Sequence, residues 1–354
     1  MLRHFLMIAA GAAIAATRSV VVGAPGTTGH LVGCATLSHS STASLAAHSS
    51  SGSFSFGTAR FALEFDSTTL ALRNITTCTG TAAAGGRSQG FLWPAGPFDV
   101  ANGFSLWQLN YTDCRSAIPN GVTLDALGSS AVNRSHSVAP LPAGGGSVLS
   151  LRWHGVAVGP GEPSIDVVIT VKVQPGSAQA VLGARVARAS GAQMMCIQAL
   201  TLPNLRLCQR NAYTDTLFVP WFFGQAGEPA SSLPGWSGLS LWQHPTVAVN
   251  GELPLMPSAG GGSASMQWMA VYSNATGGDP PVGLYVGAHS PDARLMLMMM
   301  ESGTYSTAVR FVHLPDQLNE NLTTSWVLPF EVVLAGFGET PFTVHVCLAI
   351  LQRW

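Results

Sequence analysis

A histidine, a serine, an aspartate and an arginine crowd together in the stretch GLYVGAHSPDAR, as His289, Ser290, Asp292 and Arg294. Ser, His and Asp are the residue types of a hydrolase triad, in which serine attacks, histidine takes its proton and aspartate orients the imidazole. Their spacing argues against that chemistry. A working triad converges from distant segments, with the nucleophile on a strained turn such as G-x-S-x-G. Neighbours along a strand point to opposite faces. The stretch is predicted instead to be a strand, Leu284 to Ala288, running into a Pro-containing turn. There Asp292 caps backbone N–H groups and pairs with Arg294.

Other chemistry is sparse. Glycoside cleavage uses two carboxylates roughly 5–10 Å apart, but the 17 acidic residues are scattered and no pair stands out. Glu252, Glu301 and Glu331 lie in or beside strand-like stretches and read as solvated strand faces. Ten histidines show no H-E-x-x-H and six cysteines no C-x-x-C, so no metal site is assigned and no cofactor is expected. The glycine-rich AAAGGRSQG (82–90) lacks the Lys-Ser/Thr of a phosphate loop and reads as a loop. One aromatic cluster suits carbohydrate, whose C–H faces stack on indole rings. Trp221, Trp236 and Trp242 lie in the loop-like PWFFGQAGEPASSLPGWSGLSLWQHP, as a glycan platform or as a cover over the open end of a domain. The Met-rich run 296–300 reads as core or domain interface.

The elements that must position these residues are strands. Phe61, Leu63 and Phe65 alternate with Ala62 and Glu64, turn chemistry follows at Asp66-Ser67-Thr68, and Leu70 and Leu72 resume the alternation. VLSLRWHGVAV (148–158) alternates at Leu149, Leu151 and Trp153, and SIDVVITVKV (164–173) at Val167, Ile169, Val171 and Val173. AVLGARVARA, MMCIQALTLPNLRL, GLYVGAH, TAVRFVHLP and WVLPFEVVLAGF continue the series with Gly or Pro punctuation. With 39 glycines and 22 prolines, these short segments predict an all-β fold, a large antiparallel two-sheet super-sandwich. Residues 79–103 and 133–147 read as surface loops, and 25–55 as a loose low-complexity arm. PFTVHVCLAILQRW spaces Val344, Cys347, Leu348 and Leu351 as a short C-terminal helix would.

The amino terminus reads as an export signal. Arg3 and His4 precede the apolar run FLMIAAGAAIAA (5–16), which is short for a bilayer and offers the cleavage pattern Ala13-Ile14-Ala15. No later run is long enough for a transmembrane helix. Secretion fits five N-x-S/T sequons, at Asn74, Asn110, Asn133, Asn274 and Asn321. It would also allow the six cysteines to pair, and Cys196 with Cys208, flanking an expected turn at Pro203-Asn204, is the candidate bridge. The alternative for the cysteines is burial as small apolar residues. Charged residues are only 9% of 354, the net charge is −1 and there is one lysine, Lys172, so a nucleic-acid partner has no electrostatic support.

The segment from about Ala59 to Phe337 resembles the N-terminal galactose-mutarotase-like β-sandwich of a glycosidase-like family. In that family a TIM barrel with a domain of unknown function follows, similar in architecture to endo-α-N-acetylgalactosaminidases. The resemblance rests on RFALEFDSTTLALRNI, LTLPNLRL (200–207) and DTLFVPWFFG (215–224). It is most specific in SMQWMAVYSNATGGDPPVGLYVGAHSPDAR (265–294), followed by FEVVLAGFGE (330–339). ILQRW keeps the Arg and Trp of the family's tail, while ETPFTVHVCLA departs from its acidic-aromatic-Ala pattern. The resemblance implies a carbohydrate-related role, with catalytic carboxylates in a barrel beyond this chain. A mutarotase-like site would need a His and a Glu facing an anomeric carbon, for which His289 and His313 are the histidines to inspect.

The organisation expected is a signal peptide at 1–16, an arm at 17–55, a sandwich at 56–338, and at 339–354 the start of a connector to the missing TIM barrel. The function expected is that of a secreted, non-catalytic N-terminal sandwich of a glycoside-hydrolase-like protein, with carbohydrate and its own barrel as partners. A free-standing carbohydrate-binding module and an aldose-epimerase-like enzyme are the alternatives.

Overall fold

A computed structural model describes residues 44–46, 52–58, 60–79, 87–90, 105–112, 114, 122–125, 133–142, 145–157, 164–189, 195–208, 215–218, 246–249, 268–273, 282–289, 296–302, 306–315, 320–321 and 325–337. All lie within the unit Val32–Trp354. The strands in chain order are β1 (Ser44–Ala46), β2 (Ser53–Gly57), β3 (Phe61–Asp66), β4 (Leu72–Thr79), β5 (Arg87–Gly90), β6 (Gln108–Thr112) and β7 (Val122–Asp125). There follow β8 (Asn133–Pro140), β9 (Ser147–Val156), β10 (Ile165–Val173), β11 (Gln179–Arg188), β12 (Cys196–Cys208), β13 (Asp215–Phe218) and β14 (Thr246–Val249). The last are β15 (Trp268–Ser273), β16 (Val282–His289), β17 (Met296–Ser302), β18 (Ser306–His313), β19 (Glu320–Asn321), β20 (Ser325–Val327) and β21 (Glu331–Phe337).

They form three antiparallel sheets. The first runs β1-β2-β3-β4-β5; the second, nine-stranded, runs β13-β15-β16-β21-β11-β10-β9-β8 with β20 also on β11. The third, seven-stranded, runs β14-β17-β18-β12-β6-β7 with β19 on β12. The all-β, antiparallel expectation holds for the described residues.

Period-two patterning explains the meander at the centre of the large sheet. Along β10 the residues Ile165, Val167, Ile169, Val171 and Val173 are buried, while Asp166, Val168, Thr170 and Lys172 are half-buried. Pro175 and Gly176 then turn the chain into β11. Gly176 has φ +70 and Ser177 N–H donates to the Gln174 carbonyl, a turn that needs glycine at its third position. The predicted opening hairpin is β3 with β4, and Phe61, Leu63 and Phe65 are buried. Asp66 turns it by accepting from the Thr68 and Thr69 N–H groups and pairing with Arg73. One apolar cluster draws Phe56, Phe61 and Phe65 from the first sheet, Leu151, Trp153 and Ile169 from the second, and Leu200, Leu205 and Phe311 from the third. Burying each such side chain stabilises by about 1.5–3 kcal/mol.

Four features differ from the sequence reading. The stretch expected to be a loose arm, 17–55, contributes β1 and the first part of β2, where Phe54 is buried and alternates with serines as Phe56 does just beyond it. The glycine-rich segment 82–90, expected to be a loop, ends in β5. The stretch 133–147, expected to be a loop, contains β8, which among the described residues is an edge strand held by β9 on one side only. Its side chains are mostly exposed, so no apolar alternation marks it.

The fourth difference is the disulfide. Pro203 makes no turn: β12 runs on through a bulge between Thr201 and Asn204, where the missing proline N–H breaks no ladder bond. Cys196 and Cys208 are therefore the two ends of one 13-residue strand, roughly 40 Å apart at the rise of an extended chain. Cys196 pairs instead with Cys114, with their Cα atoms 5.0 Å apart. Cys114 follows β6, the strand that puts Thr112 opposite Cys196. The C-terminal helix and the signal segment lie outside the described residues.

Candidate functional site on the outer face of the large sheet

The stretch GLYVGAH folds as β16, and its alternation sorts it onto two faces. Leu284, Val286 and Ala288 enter the main core, while Gly283, Tyr285, Gly287 and His289 face the other way. Register carries that outer face across the sheet. Trp268 lies opposite Gly287, Gly287 opposite Val333, Val333 opposite Val181 and Val181 opposite Lys172. A second buried cluster forms there from Val181, Tyr285, Val333 and Ala335, with Trp268 and Phe337 packed against it.

Glycine makes room for the rings. A Cβ at Gly287 would fall 2.3 Å from the Tyr285 hydroxyl oxygen, and one at Gly283 would fall 2.0 Å from the Phe337 ring. Each aromatic thus lies over a bare stretch of backbone, a filling of glycine sites by neighbouring rings seen in sheets. The Tyr285 ring stacks on Trp268 at a centroid distance of 5.9 Å. Gly287→Ala should displace the tyrosine and cost about 1–3 kcal/mol, as overpacking does. Chemical denaturation measures that loss, and a change in near-ultraviolet circular dichroism reports the disturbed ring pair.

At the end of this face sit the ionisable groups. The Tyr285 hydroxyl is 3.2 Å from His289 Nε2. His289 is opposite Glu331 in the β16–β21 register, and Glu331 forms an ion pair with Lys172 at 2.5 Å. Burial lowers the His289 pKa below its ordinary value, and the Glu331 carboxylate raises it by less. The ring is therefore neutral at pH 7 and able to accept the phenol O–H. The row from Trp268 to Lys172 thus has the half-buried Trp268 ring, backed by the buried Tyr285, at one end and hydrogen-bonding groups at the other. Among the described residues, no three His, Cys, Asp or Glu side chains converge to hold a metal ion.

The expected strand and its terminal histidine are where GLYVGAH put them, but Ser290, Asp292 and Arg294 lie outside the described residues. So do Trp221, Trp236, Trp242, Glu252 and Asn274. Glu301 and Asn321 are placed by backbone alone, on β17 and β19. Glu331 is not a merely solvated acid, since it pairs with Lys172 and faces His289. His313 is in the core, its Nε2–H donating to the Leu202 carbonyl. Trp268 was missed, although the G-x-Y-x-G-x-H pattern already placed two glycines and a tyrosine on one face.

No protein-family model matches the chain, and no curated protein matches it. Solved structures do. An alpha-N-acetylgalactosaminidase from Bifidobacterium bifidum in complex with GalNAc is similar at 13% identity and TM-score 0.46, over 86% of this chain and 37% of its own length. The galactosidase domain of an alpha-galactosidase-sucrose kinase is similar at 13% identity and TM-score 0.47, over 81% of this chain and 41% of its own. An alpha-galactosidase from Lactobacillus brevis is similar at 9% identity and TM-score 0.45, over 81% and 39%. The chain spans about two fifths of the length of each.

Proposed function

We propose that this chain is the non-catalytic N-terminal β-sandwich of a secreted glycoside-hydrolase-like protein, which supports a TIM barrel lying outside this chain and contacts carbohydrate. One observation carries the reading. The block on which the family resemblance is most specific, 265–294, and the separate block 330–339 supply adjoining strands β15, β16 and β21. Those strands, with Val181 of β11, build the second apolar cluster, on the face turned away from the main core. A sandwich that served only its own core would leave that face polar. Trp268, half-buried and backed by the buried Tyr285 ring, supplies a ring face for a sugar, and His289 and Glu331 supply hydrogen bonds at its edge.

The test is made on the native secreted protein. Its intact mass and tryptic peptides should show β/α repeats following Trp354, and this chain expressed alone should hydrolyse no aryl glycoside. A native mass ending at Trp354 would sink the accessory role and leave the free-standing binding module. Saturable oligosaccharide binding, followed by tryptophan fluorescence, should weaken at least tenfold in Trp268→Ala.

The opposition of His289 and Glu331 favours a second reading, an aldose-epimerase-like enzyme with an acid–base pair at an anomeric carbon. Polarimetry distinguishes it, since it requires anomer interconversion that His289→Ala abolishes. The Lys172 ion pair, which occupies the Glu331 carboxylate, favours the first reading.

A further inference from the structure

The ends of the three sheets are unequal. Among the described residues the end strands β1, β5, β7, β13 and β14 have three or four residues each. β8 has eight, and among the described residues it pairs only with β9. An edge of that length presents unpaired N–H and C=O groups to any other strand, and proteins blunt such edges with lysine, inward charges, bulges or cover. β8, of sequence NRSHSVAP, has no lysine and no acid; its one charged residue is Arg134 at the second position, its His136 stacks on Phe54 of β2, and its Val138 is an exposed large apolar residue towards the other end. Proline appears only at its last position, Pro140.

β8 also carries a sequon, Asn133-Arg134-Ser135, whereas the end strands β1, β5, β7, β13 and β14 carry none; the sequon residue Asn321 lies on the two-residue β19, which pairs with β12 and is placed by backbone alone. Asn133 is exposed at the start of the strand. Asn74 and Asn110 are placed differently. Asn74 lies on β4 between β3 and β5, half-buried, with its amide directed at the Thr76 hydroxyl. Asn110 lies on β6 between β12 and β7 and is half-buried.

We infer that Asn133 carries an N-linked glycan whose function is to guard the open edge of β8 against strand pairing with a second copy of this chain. The donor is a lipid-pyrophosphate-linked oligosaccharide. The Asn133 amide nitrogen forms a bond to the sugar's anomeric carbon, the carbon–oxygen bond to the pyrophosphate breaks, the amide loses a proton and the lipid pyrophosphate leaves. The product is a bulky hydrated chain fixed at one end of the edge, which keeps a second β8 from aligning along it. This rests on the export reading, because only a secreted chain meets the donor.

The experiment expresses residues 1–354 in a glycosylating secretory host and maps glycans by peptide mass after enzymatic release in heavy-oxygen water. Asn133 should be occupied, and light scattering should find a monomer. Asn133→Gln and Ser135→Ala should each lose that glycan and self-associate, and adding Val138→Lys to Asn133→Gln should restore the monomer. A secreted chain glycosylated elsewhere but bare at Asn133, or a bare Asn133→Gln that stays monomeric at the same concentration, overturns the inference alone. A chain retained in the cell without any glycan overturns both the export reading and the inference.

Discussion

Reduction of the Cys114–Cys196 disulfide, or its removal in the double variant Cys114→Ser/Cys196→Ser, should lower the unfolding free energy by about 3–4 kcal/mol. The two cysteines are 82 residues apart in sequence. Chain-entropy reasoning gives about 4.5 kcal/mol for closing a loop of that size in the unfolded chain, with native strain and residual structure reducing what is observed. The link spans no gap in the fold. It fastens strands already paired, since β6 lies beside β12 with Thr112 opposite Cys196, and Cys114 follows at a left-handed backbone position, φ +64. Its effect should therefore fall on the unfolded state and leave the sheet intact. Urea unfolding in the presence and absence of reductant measures the difference. Non-reduced peptide mapping should recover Cys196 joined to Cys114, and a peptide joining Cys196 to Cys208 would refute the strand pairing itself. Equal midpoints for the oxidised and reduced protein would show that the crosslink does not constrain the unfolded chain.

That pairing shows where sequence reading reaches its limit. β9 and β10 were legible because one face of each is buried and the other is not, so Leu149, Leu151 and Trp153, and then Val167 to Val173, alternate in plain view. β8 was hidden because an edge strand with exposed side chains is held by backbone bonds to β9, and these leave no mark on composition. The bulge at Pro203 looked like a turn because proline breaks a ladder locally whether or not the strand continues. The partner of Cys196 depends on β6 lying beside β12, a relation between segments some ninety residues apart that no local pattern encodes.

The candidate site divides in the same way. The alternation Gly283, Tyr285, Gly287, His289 is a local pattern and could have been read as one face of a strand. The partners of that face could not, because Trp268, Val333, Glu331 and Lys172 reach it only through the β15–β16–β21–β11–β10 register. Glu331 looked like an ordinary solvated acid because the sequence shows neither the lysine 159 positions away that pairs with it nor the histidine opposite it.

His313 should make the protein acid-labile over the window from about pH 6.5 down to about pH 4. The ring is 1% exposed, donates Nε2–H to the Leu202 carbonyl at 2.6 Å, and meets the Phe330 ring edge-on at a centroid distance of 5.1 Å. Its Nδ1 has no hydrogen-bond partner among the described residues, so a proton added there would create a buried cation with nothing to accept from it. Burial accordingly pushes the pKa from 6.5 down to about 4, against a smaller raising effect of the Leu202 carbonyl.

The direction of the pH effect follows from proton counting. Above pH 6.5 neither state binds the proton and stability is complete. Below it the unfolded chain binds a proton that the native core refuses, and stability falls until the native ring titrates near pH 4. A shift of that size corresponds to about 3 kcal/mol lost across the window. His313→Gln keeps an amide donor for the Leu202 carbonyl and removes the titration. It should cost about 1 kcal/mol at pH 8, yet lose less stability than the parent between pH 6.5 and pH 4. Urea midpoints measured at half-unit pH intervals should therefore bring the two proteins together and then reverse their order on acidification. Parallel curves through the whole window would mean that the imidazole is not the group that makes this core sensitive to acid.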